Sequence, residues 1–221
     1  MKTLLAALAL AGAFLLPAST QASGHAPSGY AVSASTKHTP KAAYTARMYG
    51  LRGLLGGAFA FSHGVDTALS KAAVHNVRTY VKPWYRWREF AATAKANYRI
   101  DGLPIVLIGH SLGADAVSWI AAALRADGIP VAAAFYYDPT PNVRCVPDNV
   151  QVALGWRRTA MFNLGGGRIA PCPGFAGDIA RFDVHTTHTQ LDDAQSVHAE
   201  TVKRVGDVVH MIGEMKGHSD E

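Results

Sequence analysis

Residues 103–123 constrain this chain more than any other stretch. An apolar run, Ile105-Val106-Leu107-Ile108, passes through Gly109-His110-Ser111-Leu112-Gly113 into an Ala-rich segment with helical spacing over 114–123. Strand, tight turn and helix in that order place the serine at the apex of the turn. So sharp a turn strains the backbone at its apex. It also requires small residues two positions to either side, or the strand and helix collide. The Ser111 hydroxyl then projects above the strand end, and the Leu112 N–H at the helix start faces the same way. One turn thus supplies a candidate nucleophile and a backbone donor for a developing oxyanion. The alternative is a glycine-rich turn with a capping serine.

The flanking segments alternate between strand-type and helix-type. Residues 46–51, 74–81, 131–137, 150–154 and 179–184 read as strands, with 160–164 a further candidate. Residues 58–73, 87–98 and 194–215 read as helices, and 185–193 as a polar loop. The strands are continuously apolar rather than alternating, as in a parallel sheet covered on both faces. In such sheets the functional site lies at the carboxyl ends of the strands. Ser111, Asp138 and the histidines of 185–188 all fall at such ends.

Residues 1–22 have the layout of a secretory signal: Lys2, an apolar run over 4–16, Pro17, and a cleavage site after Thr20-Gln21-Ala22 or at Ala18. The apolar run is short for a membrane span. Residues 23–41 are rich in Ser, Ala, Pro, Gly and His without periodicity and read as a leader. Residues 42–216 form one domain with room for a sizeable core, and 217–221 a tail. The charge of +5 is scattered, with no basic stripe or module for nucleic acid. Cys145 and Cys172 are the only cysteines of the chain. In an exported protein they are expected to pair, the alternative being two free thiols. No cysteine or histidine spacing suits a metal, and no cofactor is expected.

Taken together, 44–215 resemble a small bacterial α/β-hydrolase of the lipase, esterase and thioesterase superfamily. The resemblance rests on Leu51-Arg52-Gly53-Leu54 followed by Phe61-Ser62-His63-Gly64-Val65-Asp66, on the elbow Gly109-His110-Ser111-Leu112-Gly113, on Tyr136-Tyr137-Asp138-Pro139 and on Thr187-His188-Thr189-Gln190-Leu191-Asp192. It implies an α/β-hydrolase fold: a mostly parallel sheet with helices on both faces. No long insertion follows Asp138, so a large lid is not expected. Ser, Asp and His stand in the superfamily's chain order. Arg52 departs from the usual histidine of the oxyanion loop.

The resemblance assigns Ser111 as nucleophile, His188 as base and Asp138 as the acid that orients it. His185 and His198 compete with His188, and Asp183 and Asp178 are reserves for Asp138, whose alternative role is to open the Pro139 turn. His110 is expected to point to the far side of the sheet, and Asp192 and Asp193 to cap the final helix. The oxyanion donors would be the backbone N–H groups of Leu112 and Leu54. Trp84, Tyr85 and Trp156 are candidate pocket residues, with core or rim packing as the alternative. The function implied is exported hydrolysis of a carboxylic ester or thioester in a small or lipid-like acyl substrate. Three alternatives remain open on the same scaffold: a catalytically silent binding protein, an acyltransferase and a peptidase.

Overall fold

The structure is a computed structural model that describes residues 44–54, 62–159 and 165–217. The expected signal and leader, residues 55–61 with the start of the expected helix 58–73, the strand candidate 160–164 and residues 218–221 lie outside the described residues.

Six parallel strands form one sheet: β1 (Ala46–Arg52), β2 (Val77–Pro83), β3 (Ile105–His110), β4 (Val131–Tyr137), β5 (Val150–Arg158) and β6 (Asp178–Val184), in the order β2-β1-β3-β4-β5-β6. The helices are α1 (His63–Ala72), α2 (Trp87–Asp101), α3 (Leu112–Arg125), α4 (His188–Leu191) and α5 (Gln195–Gly217). Side chains alternate along each strand, so each strand feeds two cores. Tyr49, Leu51, Ile105 and Leu107 pack with Phe90, Ala94, Val117 and Ile120 of α2 and α3. Met48, Val106, Ile108 and Phe135 pack on the opposite face with Val65, Leu69, Val197 and Val205 of α1 and α5. All of β4 is buried, which explains its uninterrupted apolar sequence. Each large apolar side chain enclosed there contributes about 2–3 kcal/mol.

The strand order places the site. From β1 the chain moves outward to β2, then returns to β3 on the other side of β1 and continues toward β6. The crossovers therefore diverge between β1 and β3, and in such sheets the ligand site is expected at the carboxyl ends of those strands. Arg52 and Gly53 end one strand there, and His110 and Ser111 the other.

Several boundaries differ from expectation. Residues 73–75 close α1 as a 3-10 turn with Val74 76% exposed, and Asn76 turns left-handed at φ 57° before β2 begins at Val77. Local apolar character at Val74 thus marks an exposed turn rather than a strand start. Helix α2 runs on to Asp101, stopped by Gly102 at φ 63°, whose N–H bonds the Tyr98 carbonyl at 2.8 Å. Strand β5 extends to Arg158. The loop 185–193 contains one helical turn, α4, anchored by buried Leu191.

No helix covers the β4–β5 crossover or the described part of the β5–β6 crossover. Their loops brace one another instead. Cys145 and Cys172 form a disulfide. Beside it, the Val146 N–H bonds the Ala170 carbonyl at 2.8 Å, and the Cys172 N–H bonds the Val146 carbonyl at 2.9 Å.

Candidate active site

Ser111 sits between β3 and α3 at φ 57° and ψ −125°, a backbone region that L-residues rarely occupy. The neighbouring packing leaves no other path. A Cβ on Gly109 would lie 2.2 Å from the Gly113 carbonyl oxygen, and one on Gly113 would lie 2.1 Å from the Leu51 carbonyl oxygen. Ser111 stays tied to the sheet through its own N–H, which bonds the Tyr137 carbonyl at 2.9 Å. The Leu112 N–H opens the helix beside it.

Asp138 follows β4 directly, at φ 42° and fully buried. Its Oδ1 accepts from the backbone N–H groups of Gly166 (2.8 Å) and Arg158 (3.1 Å), and its Oδ2 faces His188 Nδ1 at 2.6 Å and Arg158 Nε at 3.2 Å. Burial pushes this carboxyl up. The bonds from His188 and from the Arg158 and Gly166 N–H groups outweigh burial and hold it below the usual carboxylate range.

His188 opens α4 and lies between the other two. An ionised carboxylate only accepts, so Nδ1 carries the proton and Nε2 presents its lone pair to Ser111 Oγ, 3.0 Å away. Ser111, His188 and Asp138 thus form one hydrogen-bonded line built from the ends of β3 and β4 and from α4. Gly165 lies against this line. A Cβ there would sit 2.1 Å from Asp138 Oδ2 and 2.5 Å from His188 Nδ1. Asp115 ties α3 to the loop that follows Asp138, its carboxylate accepting from the Thr140 N–H (3.0 Å) and hydroxyl (2.6 Å).

The other candidates are placed elsewhere. His185 is 3.5 Å from the Thr159 hydroxyl. His198 donates Nε2–H to the Asp192 carbonyl at 2.5 Å and meets Lys71 with its other nitrogen at 3.2 Å. Asp183 pairs with Arg157 and Arg168, and Asp178 is an exposed residue at the start of β6. Trp156 is buried against Tyr137 and Phe182, which is the core packing that stood as the alternative to a pocket role. Trp84 packs edge-on against Trp119 and Tyr85, and Tyr85 is 61% exposed. Neither has a described contact with Ser111 or His188. At the β1 end, Arg52 forms a bidentate pair with Asp66 at 2.8 and 2.6 Å, Gly53 abuts Ser111, and Leu54 follows it, 49% exposed.

One expectation is corrected, and another is met with an addition. Asp192 does not cap α5. Its Oδ2 accepts the Gly64 N–H at 3.0 Å in the first turn of α1, a long-range contact with no local sequence signal. His110 faces away from Ser111, as strand alternation requires, yet it remains in the site. It reaches under His188, with ring centroids 4.7 Å apart.

No family model matches the sequence, and no curated protein does. Solved structures do. TT1662 from Thermus thermophilus has a TM-score of 0.50 at 16% identity, covering 76% of this chain and 90% of its own. The fold is that of the α/β-hydrolases. Also similar are a Xanthomonas campestris pv. campestris protein placed in the alpha/beta superfamily of hydrolases (TM-score 0.47, 14% identity, 75% and 99% covered) and human thioesterase 2 (0.48, 12%, 74% and 97%).

Proposed function

We propose that the protein is a serine hydrolase that cleaves carboxylic esters or thioesters through an acyl-enzyme. The observation that carries this reading is the unbroken line from Ser111 Oγ through the His188 imidazole to the buried Asp138 carboxylate, at 3.0 and 2.6 Å.

In this reading the Ser111 oxygen attacks the acyl carbon as its proton passes to His188 Nε2, and the carbonyl π-electrons move onto oxygen. The Leu112 N–H and a second donor at the β1 end, Leu54, receive that oxyanion. The Gly53 N–H is already committed to the Ser62 hydroxyl at 3.0 Å, which leaves the second role to its neighbour. Collapse of the intermediate expels the alcohol or thiol, protonated by the imidazolium. Water then repeats the sequence on the acyl-enzyme, releasing the acid and restoring Ser111. Asp138 keeps Nδ1 protonated and offsets the charge of the imidazolium.

We also propose that the protein is exported. The Cys145–Cys172 disulfide supports an oxidising compartment, and no described helix is long and apolar enough to cross a membrane. Turnover of a p-nitrophenyl ester and acyl-thioester series tests the activity, with acyl-enzyme trapped for intact mass. Ser111→Ala is expected to remove turnover and the acyl adduct while retaining the Tm. Near-wild-type turnover by that variant would overturn the assignment, and no turnover by the folded wild type would favour the silent binding protein.

A further inference from the structure

We propose that Ser62 and His110 are positioning residues that lock Gly53 at the end of β1 and the His188 segment into one hydrogen-bonded unit around Ser111. The inference rests on the hydrolase reading for its catalytic consequence, although the coupling itself is a property of the fold.

The unit is a chain of donors that all point the same way. The His188 carbonyl can only accept, and His110 Nε2 lies 3.0 Å from it, so the His110 proton sits on Nε2. Nδ1 is then a lone pair, and the Ser62 hydroxyl, 2.8 Å away, must donate to it. With its proton so committed, Ser62 Oγ offers its own lone pairs to the Gly53 N–H at 3.0 Å. Gly53 N–H to Ser62, Ser62 O–H to His110 and His110 N–H to the His188 carbonyl therefore form one polarised series, in which each link strengthens the next. Ser62 and His110 are 4% and 3% exposed, so water does not compete for these bonds. The series also requires a neutral His110. Burial, reinforced by the neighbouring His188 ring, pushes its pKa down to about 3.

What the chain joins makes it more than a satisfied core network. Its first member touches the nucleophile: a Cβ on Gly53 would lie 2.9 Å from Ser111 Cβ and 2.8 Å from the His110 carbonyl oxygen. Its last member is the backbone of the base. Ser62 itself holds a left-handed conformation at φ 62° and ψ 23°, and this turns its hydroxyl inward at the start of α1. The peptide after Gly53 carries the proposed second oxyanion donor. A shift of about 1 Å at such a position is enough to lower turnover about 100-fold.

The test uses the full chain with Ser62→Gly, Ser62→Ala, His110→Leu and His110→Gln. Glycine accepts φ 62° without steric cost, so Ser62→Gly removes the hydroxyl without adding backbone strain. Glutamine retains one acceptor and one donor, whereas leucine has neither. We expect Ser62→Gly and His110→Leu to lower kcat about 10- to 100-fold with KM unchanged, also when assayed well below each variant's Tm, and His110→Gln to recover part of the loss. Activity that returns fully once the variants are assayed cold would overturn the proposal.

A second readout does not depend on turnover. Imidazole ¹⁵N spectra of the wild type should show His110 neutral with its proton on Nε2. Ser62→Gly should shift the His188 imidazole resonances as well as the Gly53 amide. A His110 proton on Nδ1, or a His188 ring unmoved by Ser62→Gly, would overturn the coupling. If the wild type turns over no ester while these shifts appear, the hydrolase reading fails and the coupling stands.

Discussion

Asp138 retains a charge in the protein interior because two backbone N–H groups and the His188 ring donate to its carboxylate. Removing the acceptor while keeping the shape isolates its role. Asp138→Asn presents an amide that can donate to Nδ1, which then favours the wrong imidazole tautomer. We expect kcat/KM to fall by about 10⁴ with little change in secondary structure, and steady-state kinetics beside circular dichroism check it. Asp192 is the opposite case. It is buried, its Oδ2 accepts from the Gly64 N–H, and its Oδ1 has no hydrogen-bond partner among the described residues. Burial, with the Asp193 charge adding to it, pushes its carboxyl up to about 7. A carboxyl raised in the folded state takes up protons on folding, so its contribution is full below the unfolded value of about 3.9 and is lost as pH rises through about 7. Asp192→Asn should therefore flatten the fall in Tm between about pH 4 and 7, as followed by thermal melts across that range. An unchanged slope would show that the carboxylate is solvated.

At the scale of elements, the described crossovers beyond β4 depend on a covalent link where the others have helices. The Cys145–Cys172 bond closes a loop with a sequence separation of 27. That loop holds both Asp138-bracing partners, Arg158 and Gly166. Replacing both cysteines with serine should lower unfolding stability by about 2–4 kcal/mol, measured by urea titration. Turnover should decline as well, because Gly165 and Gly166 lose their fixed place beside Asp138. The strands were legible because β3 and β4 are buried on both faces and cannot avoid apolar runs. The start of β2 and the end of α2 were not, because Asn76 and Gly102 act through left-handed backbone geometry that hydropathy does not register. The turn at α4 was missed because its one buried anchor, Leu191, lies among polar neighbours.

Over the whole molecule, local sequence carried the elbow, and with it the parallel architecture and the position of Ser111. Asp138 and His188 were readable as strand-end residues in the right order. Their meeting depends on the strand order β1-β3-β4-β5, which brings these distant segments to one edge of the sheet. The parts that sequence did not carry are long-range: Gly165 against the Asp138–His188 pair, Asp115 on Thr140, Asp192 on α1, and His110 beneath His188. Trp156 stood open between pocket and core for a related reason. An aromatic side chain near a strand end serves equally as rim or core, and only its neighbours on β4 and β6 decide which. In the proposed function the fold activates one serine, Ser111. Treating the folded protein with a fluorophosphonate and mapping the adduct by peptide mass tests it most directly. The expected result is a single adduct on Ser111 that is absent after heat denaturation and in His188→Ala. A folded protein left unmodified, or an adduct on another residue, would contradict it.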